Sequence, residues 1–146
     1  MSKKQIISTL FVLSLLGLGV SIYSLLHNQG FASGEFCTIG EELNCDVVNK
    51  GPYSIMFGIP VSLVGVIGYL FLAVAAAMKL KNPQDKSLTK FLTLASIGGF
   101  LFALYLSGIE AFILETWCLL CLVSQATILT IAIFSVLLTV NEHKVV

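Results

Sequence analysis

Arginine is absent from this chain, and charge of either sign is scarce. Eight lysines and eight acids make up 11% of 146 residues and cancel to a net charge of zero. A soluble domain carries about 25% charged residues, so a water-facing globule is excluded. Without a basic surplus there is no footprint for nucleic acid either. Histidine is limited to His27 and His143, and neither is placed to complete a zinc site. Internal repeats and low-complexity tracts are absent.

What remains is apolar: 57% of the residues are hydrophobic. A spanning helix needs about 20 consecutive apolar residues. Four uncharged runs qualify: Ile6–Leu26, Ile55–Met78, Phe91–Ile109 and Cys118–Val140, the third staying apolar past Glu110 to Leu114. The expectation is one all-α membrane domain over 1–146, a bundle of four transmembrane helices. The helices are placed at about 6–27, 55–79, 88–114 and 117–140. A polar loop, 28–54, caps the bundle on its outer, extracytoplasmic face. The first run follows Lys3 and Lys4 as a secretory signal would, but it is longer than the ~7–15 residues of a signal core. It is read as a retained helix. Gly17, Gly19, Gly65, Gly68, Gly98 and Gly99 are small enough for helices to approach closely in lipid.

Lysine sets the orientation. Lys3, Lys4, Lys79, Lys81, Lys86, Lys90 and Lys144 fall in the termini and the spacer after the second helix, which four helices bring to one side. By the positive-inside rule that side is cytoplasmic. Both termini are therefore cytoplasmic, and the outer side keeps only Lys50.

The four cysteines all fall on the outer side, where disulfides persist in a bacterium. Cys37 and Cys45 lie in the loop, seven residues between them. Cys118 and Cys121 form a C-x-x-C where the last helix begins, with Thr116 as its expected N-cap. Three residues apart on a helix, these two side chains share a face. Free N–H groups and the helix dipole stabilise a thiolate in a first turn. Taken alone, the loop pair reads equally well as a structural staple. Taken together, the pairs suit a relay in which a mobile dithiol exchanges with a fixed one. Four cysteines allow three pairings. Two local disulfides are the resting oxidised form of such a relay, and Cys45–Cys118 is its mixed intermediate.

The ordered motifs resemble the vitamin K epoxide reductase family over nearly the whole chain. They are Cys37-x7-Cys45, Cys45-Asp46-Val47-Val48, Pro52-Tyr53-Ser54, Phe57-Gly58-Ile59-Pro60, and Cys118-Leu119-Leu120-Cys121 opening the last helix. The resemblance implies a four-helix bundle around a quinone, ubiquinone or menaquinone. It implies that Cys37 exchanges with an external partner, that Cys45 relays to Cys118, and that Cys121 faces the quinone ring. Tyr53 and Phe57 would then flank the pocket entrance. Gln125 stands one turn past Cys121, where vertebrate relatives carry an aromatic hydroxyl. It is expected either to hydrogen-bond a quinone carbonyl or to bond between helices. Gly51 departs from the family, which usually has a hydroxyl residue there. With no thioredoxin-like domain fused before Val146, the implied partner is a separate extracytoplasmic thiol oxidase of thioredoxin fold, comparable in role to DsbA.

The expected activity is thiol–quinone oxidoreduction in a bacterial plasma membrane, supporting disulfide formation in exported proteins. Reduction of a vitamin K epoxide or quinone by the same cysteines is the alternative. Readings of another class are a thiolate metal-binding protein and a structural protein with passive disulfides. No metal is assigned. The C-x-x-C speaks against passive stapling, because a disulfide within one helical turn is geometrically awkward. Glu110, His27 and Trp117 are read as residues of the membrane interface, with proton uptake during quinone reduction as the alternative for Glu110.

Overall fold

The computed structural model describes residues 2–30, 55–56, 58–115 and 117–144. The first helix, α1 (Lys3–Asn28), opens on a capping box. Ser2 Oγ accepts from the Gln5 N–H at 3.3 Å, and Gln5 Oε1 accepts from the Ser2 N–H at 2.9 Å. Those bonds satisfy N–H groups that a helix start leaves bare, and they carry α1 back three residues beyond its apolar run.

The second helix does not begin at 55, as the apolar run suggests. Strands β1 (Ile55–Met56) and β2 (Ile59–Pro60) pair antiparallel, with Ile55 opposite Pro60 and Met56 opposite Ile59. Gly58, at φ 81°, supplies the left-handed turn residue between them. Pro60 stays extended at ψ 136° and caps α2 (Val61–Lys81) instead of joining it. Asp85 caps α3 (Lys86–Ile109), accepting from the Ser87 N–H at 2.9 Å.

The expected 88–114 helix is α-helical only to Ile109. Glu110–Leu114 form a wider π-helical turn, closed by the Glu115 N–H on the Glu110 carbonyl. Glu115 itself is left-handed at φ 51°, which ends the helix. The last helix, α4 (Leu119–Lys144), starts two residues later than expected. The Leu122 N–H bonds the Cys118 carbonyl at 2.9 Å, so Cys118 is its N-cap. Thr116 lies outside the described residues, as does most of the polar loop.

The helices close a ring: α1 packs on α2 and α4, and α3 packs on α4 and α2. All four are long and apolar enough to cross a membrane. Their outward faces carry large apolar side chains, such as Leu94 at 72% and Phe112 at 85% exposure, which suits lipid as the solvent. The inward seam is built from Ile7, Leu10, Leu72, Leu92, Ile131 and Leu138 with buried serines and threonines among them. Each helix bonds its own backbone, as hydrocarbon surroundings demand.

Two features tie the ring together. Near the middle, the Tyr69 ring lies against Gly17, and a Cβ at Gly17 would clash with that ring. The Tyr69 hydroxyl donates to the Ser124 carbonyl at 2.8 Å, so one residue of α2 spans from α1 to α4. Gly17→Ala is expected to lower stability by about 1–3 kcal/mol, the usual cost of overpacking. Reversible unfolding in mixed micelles measures it, and no loss would show that the ring swings aside freely. Gly65 and Gly99 also meet neighbours closely, whereas Gly19, Gly68 and Gly98 face open space.

At the lysine-bearing end, Lys79 is fully buried. Its Nζ donates to Glu142 Oε1 at 2.6 Å and to the Asp85 carbonyl at 2.7 Å. The same Glu142 oxygen accepts from Thr89 at 3.0 Å and pairs with Lys3 at 3.1 Å. One carboxylate thus joins all four helices.

Candidate functional site

The opposite end holds the C-x-x-C. As N-cap, Cys118 stands one residue before the first turn of α4, and Cys121 is that turn's third residue. Both are thiols, and their sulfurs hydrogen-bond each other. Cys118 is fully buried against Val20 and Tyr23 of α1. Its sulfur also accepts from the Cys121 and Leu120 N–H groups. The bond with the Cys121 thiol, reinforced by those backbone donors, holds the Cys118 thiol below its ordinary range, against burial and the nearby Glu110 charge. A thiolate in the N-cap position takes the place a serine or aspartate oxygen usually fills.

Cys121 faces the other way, into a cavity of about 450 Å³ between the helices. The walls are mostly apolar, from Val20 and Leu72 to Phe102 and Ile128. Its polar lining comes from every helix: Ser21, Ser24 and Asn28 of α1, Ser62 and Tyr69 of α2, Ser107 of α3, Ser124 and Gln125 of α4, with Glu110 from the π turn. The Ser107 hydroxyl donates to Gln125 Oε1, which fixes the amide and leaves its Nε2 as the donor side. Of the two expectations for Gln125, the bond between helices is present, and the residue also lines the cavity. The lining also includes Val64, Phe71 and Phe91, all well exposed on the outer faces of α2 and α3. On that flank the cavity reaches the lipid-facing surface.

A quinone needs a flat apolar slot, a hydrogen-bond donor for a carbonyl oxygen and a route for its tail. The apolar walls, the Gln125 amide and the α2–α3 flank meet those needs, so the residues present fit the group.

Glu110 departs from its reading as an interface residue. It is 3% exposed. Its Oε2 accepts the Cys118 N–H at 3.1 Å, and the carboxylate also bonds the Cys121 thiol. The π turn that begins at this residue accompanies its inward placement, and such turns recur at functional sites. Only its position eight residues before Cys118 hints at this in the sequence. Tyr69 was also silent there, because nothing links it to Gly17 without the packing. His27 proves fully buried too, and Trp117 half-buried. Cys37, Cys45, Gly51, Tyr53, Ser54 and Phe57 lie outside the described residues. Among the described residues no group of three or more His, Cys, Asp or Glu is arranged to hold a metal ion.

No curated protein matches the chain. The sequence profile of the vitamin K epoxide reductase family matches residues 8–136, from within α1 to late in α4, and so takes in the C-x-x-C, Glu110 and the cavity. The chain belongs to the vitamin K epoxide reductase family, membrane oxidoreductases associated with quinones.

Proposed function

We propose that this protein oxidises an extracytoplasmic thioredoxin-fold partner and delivers the electrons to a membrane quinone, so driving disulfide formation. The observation that carries this reading is the split orientation of the C-x-x-C. Cys118 is buried beside α1 with its sulfur on backbone N–H groups, while Cys121 lines the apolar cavity.

A bound quinone supplies a two-electron acceptor. The chain's residues do the rest. The partner reduces Cys37–Cys45, and Cys45 then attacks Cys118 and frees Cys121 beside the cavity. Attack by Cys37 on Cys45 releases Cys118. A sulfur with a low pKa leaves faster, and the Cys121 thiol together with the N-cap N–H donors favours that for Cys118. Gln125, braced by Ser107, orients the ring through a carbonyl. The family resemblance alone assigns Tyr53 and Phe57 to the pocket entrance, and the α2–α3 flank would hold the quinone tail. The apolar walls exclude water while both sulfurs are reduced.

The lysine pattern supports a cysteine end outside the cytoplasm, where such a partner would be met. The test is reconstitution in lipid nanodiscs with a short-chain ubiquinone or menaquinone and a dithiol peptide. One quinone is expected to be reduced per disulfide formed. Reduction of vitamin K epoxide without quinone turnover would favour the alternative activity.

A further inference from the structure

The relay leaves two buried titratable groups at the cysteine end without a task, His27 and Glu110, and of these Glu110 lines the cavity. An interface acid would keep its oxygens in water. Burying a carboxylate costs heavily unless it is partnered, and no lysine is at hand: those among the described residues lie near the opposite end of the bundle. The partners it has are the Cys118 N–H, at 3.1 Å, and the Cys121 thiol. It also lines the cavity next to Cys121. One carboxylate thus touches the reacting sulfur, the backbone of the other cysteine and the space assigned to quinone.

We propose that Glu110 is a catalytic residue that takes the Cys121 thiol proton and passes it into the cavity to complete the quinol. This rests on the quinone-reducing reading above. The step balances. Cys121 gives its proton to Glu110, and the Cys118 proton leaves to the outer aqueous face. Two electrons leave the sulfurs for the quinone as the Cys118–Cys121 bond forms. One quinol proton comes back from Glu110 and the other from the outer face. Around Glu110, the titratable neighbours are Cys118 and Cys121 at the start of α4. Tyr69 shares the cavity from α2 with its hydroxyl on Ser124, and Tyr23 of α1 packs on Cys118.

The test pairs two readouts on the full chain in nanodiscs. The first needs no quinone: the pH profile of Cys121 alkylation by iodoacetamide, with Cys37, Cys45 and Cys118 replaced by alanine. Glu110→Gln removes a negative neighbour, so the midpoint is expected to fall by roughly one pH unit. The second is quinone reduction with all four cysteines present, expected to fall about 100-fold, as for a lost general base. A thiolate that forms more easily in an enzyme that turns over more slowly is not what a structural role produces. An unmoved midpoint, or turnover within twofold of wild type, overturns the proposal. If Glu110→Gln does not fold, Glu110→Asp replaces it. It is expected to lose about tenfold in turnover, and wild-type turnover would overturn the proposal. If the wild-type protein reduces no quinone, the functional reading fails, and the alkylation profile alone decides whether Glu110 holds the Cys121 proton.

Discussion

Cys121→Ser leaves the bundle folded and its quinone reduction at least roughly 1,000-fold below wild type, the scale of loss when a nucleophile is removed. Serine nearly matches the volume of cysteine, so the cavity wall is kept. The hydroxyl cannot form a disulfide, and its oxygen is a far weaker nucleophile than a thiolate. Cys118→Ser is expected to fall as far for a different reason. Without Cys118 the loop has no sulfur to attack, and Cys121 has no partner with which to close a disulfide. The assay is the nanodisc reconstitution with quinone and dithiol peptide. Turnover above a tenth of wild type in either variant would remove the C-x-x-C from the electron path.

Glu142→Ala carries the largest expected loss of stability, about 3–5 kcal/mol, because it strands a buried charge. Lys79 is fully buried, and without Glu142 its ammonium keeps only the Asp85 carbonyl among its two bonds at 2.6 and 2.7 Å. Lys79→Ala is expected to cost less, since Glu142 keeps Lys3 and Thr89. The double variant Lys79→Met, Glu142→Leu removes both charges and is expected to recover most of the loss. Unfolding in mixed micelles, with quinone activity measured beside it, checks all three. Equal losses in the two single variants and the double would point to lost packing at this end instead.

The sequence was most legible where long-range chemistry is repetitive. Four uncharged runs of spanning length dictate four helices in any lipid solvent, and the C-x-x-C identifies itself by spacing. Element ends were less legible, because local bonds decide them. Ser2 and Gln5 extend α1 through a capping box, and Gly58 with Pro60 turns an apolar run into a hairpin before α2. Least legible were polar residues whose partners are distant along the chain. The lysines read as an orientation signal, but Lys79 finds Glu142 63 positions away. Glu110 reads first as an interface acid, with proton uptake only the alternative, because a lone charge at the end of an apolar run looks the same whether it points out or in. The π turn that accompanies its inward placement is a departure from regular geometry that hydrophobic periodicity does not register.

In the proposed relay, electrons cross from the loop pair to the helix pair through one specific sulfur bond, Cys45–Cys118. Replacing Cys37 and Cys121 together with alanine removes both resolving thiols, and a maleimide mass tag on rapidly quenched membranes then counts what is left reactive. The expected result is a Cys45–Cys118 disulfide in most molecules, seen as loss of both tags and as a crosslinked peptide pair by mass spectrometry. Two reactive thiols in oxidised membranes, with no such peptide, would contradict the relay.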